Sequence, residues 1–407
     1  MSRGYFELSA LILVTAIAAC PTIAFAEPSG SDQPVKIGVL NDQSGIYADL
    51  AGPGSVEAAR MAIEDFGGQA LGKPVELVAA DHQNKADIGA SIVRSWYDQD
   101  GVDMTVDFSN SSVALAVQAM TKDKQKVTLI TAASSAITGK ACTPNSAQWV
   151  YNSHSNGYSL ARVLTERGLK SWFLVTVDYA FGHAFAADIR KAVTDSGGTI
   201  LGEVRHPLNT ADMSSFLLQA QASKAQAVAF ASAGTDMTTA IKQAGEFGIA
   251  QQTALVAPIV FITDVHAMGL KAAQGLQFVT AFYWDRDDES RAWSKRFFER
   301  RKVMPTMTQA GVYSAVTHYL KAVAALKSTA DGKVVVAKMK EMPTDDPLFG
   351  KGMVRADGRN IHPAYLFEVK KPEESKYAGD DYKLRATVPA DQAFRPMKDD
   401  NCPLVSG

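Results

Sequence analysis

The chain has 407 residues, with 41 Lys and Arg against 43 Asp and Glu, so its formal net charge is −2. Hydrophobic residues make up 46% and charged residues 21% of the chain, which excludes collagen-like, coiled-coil and wholly disordered proteins. The near-neutral balance argues against a dedicated nucleic-acid binder, because such a protein usually carries a basic surplus. At roughly 100–200 residues per domain, this length predicts two domains.

Residues 1–26 have the layout of a secretory signal peptide. Arg3 precedes an uncharged run from Leu8 to Ala19, and Ala24-Phe25-Ala26 forms a small-x-small end. The run is too short to span a bilayer, which needs about 20 residues. We therefore predict cleavage after Ala26 and export to the periplasm. In the alternative, Ile17-Ala18-Ala19-Cys20 is a lipobox-like sequence and Cys20 carries a lipid anchor.

Cleavage at this site leaves two cysteines, Cys142 and Cys402. An exported protein folds in an oxidising compartment, where an isolated pair of cysteines tends to form a disulfide. We expect such a bond here, and the alternative is two free, buried thiols. No His or Cys stands at metal-ligand spacing from either cysteine, so we predict no metal site.

Short β-rich runs alternate with amphipathic helical stretches over most of the remaining chain. One set covers residues 35–131, and a second set begins at residue 172 and ends near residue 268. This rhythm predicts parallel sheets in an α/β fold with two similar lobes. Two long helices, at 288–302 and 308–326, are expected to return to the first lobe. We interpret residues 370–407 as irregular surface chain that is tied down near its end.

The motifs of common enzyme classes are absent from the sequence. No Gly-Lys-Ser/Thr phosphate loop, no Gly-x-Gly-x-x-Gly fingerprint and no Gly-x-Ser-x-Gly elbow occurs at the required places. The seven histidines are scattered, and none forms a His-Glu-x-x-His site. We therefore predict no catalytic residue and no cofactor.

Loops rich in small polar residues follow three strands of the first set. They contain Ser44 after the first strand, Ser109, Asn110 and Ser111 after the third, and Ala133, Ser134 and Ser135 after the fourth. In open α/β sheets such loops share the carboxyl edge, where ligands bind, and helix N-termini there favour an anion. We expect this edge to hold a carboxylate without an Arg. The alternative is that these side chains are ordinary helix caps.

The second set has larger residues in the equivalent loops. They include Tyr179 and Phe181 after its first strand, Gly234 and Thr235 after its third, and the segment 258–263 after its fourth. Aromatic side chains in such loops can stack on a ligand or cover it. In the alternative, Tyr179 and Phe181 only pack in the core.

Four segments carry a family resemblance in their order and spacing. They are VKIGVLNDQSGIYADLAGPGSVEAARMAIEDFGG (35–68), TVDYAFG (176–182), QAGEFGI (243–249) and AGVYSAVTHYLKAV (310–323). The chain resembles the periplasmic substrate-binding proteins of ABC importers, in the leucine/isoleucine/valine-binding (type I, branched-chain amino acid) family. It is similar in particular to members that bind aromatic and other organic acids.

The resemblance implies a fold of two doubly wound α/β lobes joined by three chain crossings, with the ligand in the cleft. We place the crossings near 151–155, 280–283 and 351–361. Lobe one then comprises residues 34–151 plus 282–352. Lobe two comprises 155–280 plus 354–385, and 386–407 form a C-terminal tail.

The resemblance also implies roles for single residues. The amino-acid binders hold the ligand carboxylate with a Ser, an Ala and a Thr, which match Ser111 (or Ser109), Ala133 and Ser135 here. An aromatic residue of the first loop borders their side-chain pocket, and Tyr47 is the candidate. Their lobe-two Tyr before a Gly corresponds to Phe181.

One position departs from the family pattern. The Glu that follows a Pro and holds the ligand's ammonium group is replaced by Ile259 after Pro258. A desolvated ammonium without a charge partner loses several kcal/mol. This favours a ligand with a carboxylate and no α-amino group, such as an aromatic or aliphatic acid. Asp236 or Asp264 could replace the Glu, so an amino acid remains an alternative.

The resemblance implies a monomeric protein that captures a small carboxylate by hinge closure and delivers it to the membrane permease of an ABC importer. Neither an enzymatic activity nor a nucleic-acid partner is expected. Two alternatives remain: a ligand-sensing module of the same fold, or a secreted α/β enzyme that uses the same cleft.

Overall fold

The computed structural model describes residues 33–405, together with residues 1, 2 and 4. The predicted signal peptide and the alternative lipid anchor at Cys20 therefore lie outside the described residues, apart from those three positions. Within the described part of the chain, no helix is both long enough and apolar enough to cross a membrane.

Residues 36–148 form the first sheet and its helices. The elements are β1 (Lys36–Asn41), α1 (Gly52–Asp65), β2 (Gln69–Ala70), β3 (Lys73–Pro74), β4 (Glu76–Asp81), α2 (Ala86–Asp98), β5 (Met104–Asp107), α3 (Ser111–Thr121), β6 (Val127–Ile130) and β7 (Ser146–Gln148). The five strands β4-β1-β5-β6-β7 are all parallel, and β2 pairs with β3 as a small hairpin. The central strands β5 and β6 are buried throughout, as in parallel sheets covered on both faces, although they include the polar residues Thr105, Asp107 and Thr128.

Residues 159–280 form the second sheet and its helices, after a single π-helical turn at His154–Tyr158. The elements are α4 (Ser159–Glu166), β8 (Ser171–Val177), α5 (Ala180–Asp195), β9 (Thr199–His206), α6 (Ser214–Ala222), β10 (Ala227–Ala231), α7 (Gly234–Glu246), β11 (Ala254–Val256), α8 (Ile262–Met268), α9 (Leu270–Ala273) and β12 (Gln277–Thr280). The order β11-β10-β8-β9 is again all parallel. The α/β fold with two parallel sheets, one in each lobe, is thus confirmed.

The described chain then adds four helices and the strands of two antiparallel sheets. The elements are α10 (Asp288–Arg301), α11 (Met307–Leu326), α12 (Gly332–Glu341), β13 (Pro343–Asp346), β14 (Gly350–Val354), β15 (Asn360–Ile361), β16 (Ala364–Val369), β17 (Tyr382–Val388) and α13 (Ala390–Ala393). Helix α11 packs on the first sheet's helix α1. At the start of α11, Thr306 donates to the Leu50 carbonyl at 2.6 Å and Gln309 donates to the Ala51 carbonyl at 3.1 Å.

The prediction that residues 370–407 are irregular was wrong for β17. This strand pairs with β16, which also pairs with β12, in one antiparallel sheet. Its residue Tyr382 is buried and its ring packs edge-on against Phe278 at 4.9 Å. Lys383, Leu384 and Arg385 are less buried, because β17 is an edge strand. Because Lys383 and Arg385 are charged, the apolar periodicity of the sequence did not predict this strand.

The structure contains a disulfide between Cys142 and Cys402, with the two Cα atoms 5.7 Å apart. Cys142 lies in the loop between β6 and β7, and Cys402 lies near the end of the described chain. The bond therefore fastens the C-terminal tail to the first lobe. The exact lobe boundaries and the three crossings stay predictions.

Candidate ligand cleft between the two sheets

The loops at the carboxyl ends of the two sheets touch each other. Tyr47, in the loop after β1, and Tyr179, in the loop after β8, have their hydroxyl oxygens 2.7 Å apart in a hydrogen bond. Gly234, after β10, lies against the same first-sheet loop: a Cβ on this residue would stand 2.8 Å from the Ile46 carbonyl oxygen. The edges that hold ligands in α/β proteins thus face each other across a closed cleft.

The conformation of the first loop is set by the buried carboxylate of Asp42. This carboxylate accepts hydrogen bonds from the backbone N–H groups of Gly45, at 2.8 Å, and Tyr47, at 2.9 Å. These bonds turn the Tyr47 ring toward the second sheet, where it is 2% exposed. Burial raises the pKa of the Tyr47 hydroxyl well above its usual value, so the group stays neutral. Ser44 is exposed instead and donates to Asp81 at 2.6 Å, on the outer side of the loop.

The start of α3 shows both cap and candidate binding residues. Asn110 is the N-cap, because its side-chain oxygen accepts from the backbone N–H groups of Ser112 and Val113. The Ser109 hydroxyl accepts from the Asp42 N–H at 3.3 Å. Ser111 is 1% exposed and its hydroxyl accepts from the Ser134 N–H at 3.3 Å. Among the described residues, no acceptor takes the Ser111 hydroxyl proton, so it is free to donate to a ligand.

The loop after β6 joins the two lobes directly. Ala133 is buried, and its carbonyl accepts from the Ser153 N–H at 2.8 Å. Ser134 caps the short 3-10 turn Ser135–Ile137 through its hydroxyl. The Ser135 hydroxyl donates at 3.3 Å to the carboxylate of Asp188, which lies on α5 of the second lobe. Ser135 is therefore engaged in a contact between the lobes.

The second lobe presents aromatic rings and one glycine. The Phe181 ring stacks on Tyr179, with centroids 5.9 Å apart, and packs against Phe185 at 4.6 Å. Gly234 begins α7 with a φ of +59°, a conformation that favours glycine, and its missing side chain lets the first loop approach. Thr235 follows on the exposed side of the same helix turn.

One continuous apolar cluster extends from the loops of the first sheet to those of the second. It includes the first-lobe residues Tyr47, Ala133 and Tyr151 and the second-lobe residues Phe181, Ile259 and Phe261. The Tyr151 and Phe261 rings meet edge-on at 6.3 Å. Ile259, which the family resemblance predicts at the position of the ammonium-binding Glu, is fully buried. The second lobe is therefore apolar at this residue.

Two carboxyl groups of the second lobe, Asp236 and Asp264, are the alternatives to that Glu. Their surroundings in the structure differ. Asp236 accepts from the backbone N–H groups of Asn209 and Thr210, so it holds a loop on its own lobe. Asp264 lines a cavity of about 40 Å³ between the lobes, together with Ile46 and Thr235. One of its oxygens accepts from the Phe261 N–H at 2.8 Å, and burial raises the pKa of the Asp264 carboxyl to about 7.

Three residues of this region were missed by sequence reasoning as parts of the site. Asp42 had a local signal, because an Asp three residues before a Gly is typical of a side-chain-stabilised turn. Tyr151 was treated only as part of a chain crossing. Asp188 had no signal, because it lies in the middle of α5, and only the tertiary fold brings it to Ser135.

Comparison with known proteins gives relatives over nearly the whole chain. A periplasmic binding protein from Burkholderia mallei is 47% identical, covers 92% of this chain and 99% of its own, and has a TM-score of 0.89. A branched-chain amino acid ABC transporter periplasmic ligand-binding protein from Burkholderia xenovorans is 44% identical over 91% of this chain and 99% of its own, with a TM-score of 0.80. A Leu/Ile/Val-binding protein homologue from Brucella suis is 26% identical, covering 89% of this chain and 94% of its own.

More distant structures share the fold. A solute-binding protein of an ABC transporter from R. palustris, solved in complex with benzoate, is 20% identical, covers 88% of this chain and 97% of its own, and has a TM-score of 0.78. The model of the family described as periplasmic binding protein matches residues 34–376. The two sheets, the facing loops and this match lead to one conclusion: the chain belongs to the periplasmic binding protein family.

Proposed function

We propose that this chain is the periplasmic solute-binding component of an ABC importer and binds a small carboxylic acid with an apolar body. It acts as a monomer that delivers the acid to a membrane permease. The observation that carries the proposal is the composition of the cleft. Neutral hydroxyl groups lie on the first lobe, and apolar side chains, with Ile259 in place of an acid, lie on the second.

The carboxylate end of the ligand is assigned to the first lobe. The Ser111 hydroxyl sits at the first turn of α3 with its proton available, and the positive end of the helix dipole favours an anion there. Ser135 is a second donor that can exchange its Asp188 contact for a ligand. Hydrogen bonds to a charged acceptor are about twice as strong as neutral ones, so few donors suffice.

The body of the ligand is assigned to the apolar cluster. Tyr47, Phe181 and Phe261 offer ring faces and edges that suit an aromatic ring or a branched aliphatic chain. An ammonium group beside Ile259 would lose its hydration without gaining a charge partner. Benzoate bound to a distant protein of this fold shows that the fold accommodates such acids.

An amino acid is the second candidate ligand. It is favoured by Asp264, whose carboxyl lines the cavity between the lobes, and by the transporter protein from Burkholderia xenovorans. Asp264, the third residue of α8, already accepts from the Phe261 N–H at the start of that helix, and its raised pKa keeps much of it protonated near neutral pH. A protonated carboxyl is a poor partner for an ammonium group. For this reason a carboxylic acid without an amino group is the first candidate ligand.

Binding is proposed to occur by hinge closure. The direct contacts of Tyr47 with Tyr179 and of Gly234 with Ile46 exist only when the lobes are close together. A ligand that touches both lobes shifts the population toward this closed form. The permease then recognises the closed protein.

Native mass spectrometry of protein purified without refolding, followed by thermal shifts, tests the proposal. We expect a monomer, and we expect benzoate and 4-hydroxybenzoate to raise the melting temperature. A ligand at a hundred times its Kd stabilises the fold by about 2.7 kcal/mol. Stabilisation by leucine or phenylalanine, with none by any acid that lacks an amino group, would overturn the assignment.

A further inference from the structure

The C-terminal strap, which we define as residues 394–402, lies against both lobes. Its last residue, Cys402, is bonded to Cys142 of the first lobe. Close to this bond, Gly139 lies so near the strap that a Cβ would stand 2.7 Å from the Asp400 carbonyl oxygen. The strap is thus fixed to the first lobe at one end by a covalent bond and by close backbone packing.

The other part of the strap holds a residue of the second lobe. Arg395 forms an ion pair with Asp188 of α5, with a nitrogen–oxygen distance of 2.5 Å. The Asp188 carboxylate also accepts hydrogen bonds from Ser153 at 2.7 Å and from Ser135 at 3.3 Å. The Asp188 side chain is only 5% exposed. It is bonded to the strap, to the first lobe and to the chain between the lobes.

The strap also contacts the predicted chain crossing at 351–361, which in turn contacts the crossing at 151–155. Asp400 pairs with Arg355, at 3.1 Å, and with Arg395, at 3.3 Å. Arg359 lies over the Phe394 ring at 4.3 Å and donates to the Tyr151 carbonyl at 3.0 Å. The strap is therefore attached to the part of the molecule about which the lobes would turn.

The ion pair has a consequence for the position of the second lobe. Removing one partner of a buried pair is strongly unfavourable, because the other charge is left desolvated. Opening of the lobes would carry Asp188 away from a strap that the disulfide holds on the first lobe. Opening would break the contacts of Asp188 with Arg395, Ser135 and Ser153 together. The free-energy cost of losing these contacts opposes opening.

We propose that Arg395 and Asp188 form an interlobe latch, in which the disulfide-anchored strap holds the second lobe toward the closed form before a ligand arrives. Because the latch stabilises the closed form, less of the ligand's binding free energy is needed to close the lobes. This inference rests on hinge closure, and it concerns a contact separate from the apolar ligand cluster. Arg395 and Asp188 act as positioning residues.

Small-angle X-ray scattering of the ligand-free mature protein tests the latch. Arg395→Ala should give a larger radius of gyration than the wild type, and saturating benzoate should return it to the compact value. Benzoate affinity should fall about tenfold if the closed population falls tenfold. Lys398→Ala removes an exposed strap charge and is the matched control, which should behave as the wild type.

Three further variants keep the test decisive if Arg395→Ala folds poorly. Asp188→Asn should open the lobes similarly, and the double variant should open them no further than either single variant, because the two residues act as one pair. Cys142→Ser with Cys402→Ser frees the strap, leaves the ion pair's groups intact and should also open the lobes. A ligand-free radius of gyration that is unchanged in all these variants would overturn the latch. Failure of benzoate to compact Arg395→Ala would instead count against the proposed ligand class.

Discussion

The two lobes meet with opposite kinds of side chain. The first lobe offers small polar residues at its sheet edge, of which Ser111 keeps a free hydroxyl proton. The second lobe offers the rings of Tyr179 and Phe181 and the side-chain-free surface of Gly234. This difference supports the proposed division of recognition, in which the first lobe binds the charged end of a ligand and the second covers its apolar body.

The contacts between the lobes differ in the same way. The contact around Tyr47 and Tyr179 is neutral, whereas the contact of Asp188 with Arg395 is a compensated ion pair held by the tail. The neutral contact of Tyr47 with Tyr179 places no fixed charge beside the apolar cluster.

Asp264→Asn tests whether the second lobe truly lacks a charged anchor. The folded-state pKa of Asp264 is raised from 3.8 to about 7, so the folded protein binds a proton that the unfolded chain has lost. Stability from this group is full below pH 4 and is lost as the pH rises to about 7, by about 4 kcal/mol. Asp264→Asn should abolish this loss, as measured by chemical denaturation at pH 4.5 and 7.5. If Asp264→Asn also selectively weakens leucine binding, the division between the lobes is wrong.

Gly234→Ala tests the close approach of the lobes. The new Cβ would meet the Ile46 carbonyl at 2.8 Å in the closed form only, and overpacking of this kind costs about 3 kcal/mol. Benzoate affinity should therefore fall more than a hundredfold by calorimetry.

Gly245→Ala is the matched control for this change, because Gly245 lies in the same helix and has open space around it. It should leave affinity unchanged and stabilise the helix slightly. Equal affinities for the Gly234 and Gly245 variants would contradict the closed cleft as the binding state.

Ser111→Ala tests the proposed hydrogen bond from the first lobe to the ligand carboxylate. Loss of a hydrogen bond to a charged acceptor costs about 2 kcal/mol, or about thirtyfold in affinity. Ser135→Ala should cost less, because that hydroxyl already has Asp188 as a partner. The reverse ranking in calorimetry would move the carboxylate site to the loop after β6.

Tyr47→Phe tests the neutral contact. It removes the hydrogen bond to Tyr179 and keeps the ring in the apolar cluster, so the cost should be about 1 kcal/mol, or about fivefold in affinity. A loss as large as that for Ser111→Ala would show that the hydroxyl binds the ligand itself.

Much of the fold was predictable, because local patterns carry it. The two long helices were predicted at 288–302 and 308–326, and α10 and α11 lie within one residue of these bounds. Strand β7 was not predicted, since its sequence Ser-Ala-Gln lacks strand-forming residues and only pairing with β6 makes it a strand. The antiparallel sheets and α12 were not predicted either, although β16 is rich in strand-forming residues.

The candidate site was partly predictable. Loops after parallel strands share one edge, so Tyr47, Ser111 and Gly234 could be placed there from the sequence. The structure shows that Asn110 is a helix cap, the alternative weighed for this residue. Asp188 and its partner Arg395 are 207 residues apart and each lies outside any motif, so no local pattern brings them together. The binding roles of these residues stay predictions.

Calorimetry with two matched ligand pairs tests whether the cleft selects a carboxylate that lacks an ammonium group. Leucine and 4-methylpentanoate differ only in the ammonium group, and benzoate and benzamide differ in the carboxylate charge. A cleft with neutral donors on one lobe and Ile259 on the other should bind 4-methylpentanoate more tightly than leucine, and benzoate more tightly than benzamide. Tighter binding of leucine than of 4-methylpentanoate would contradict the account.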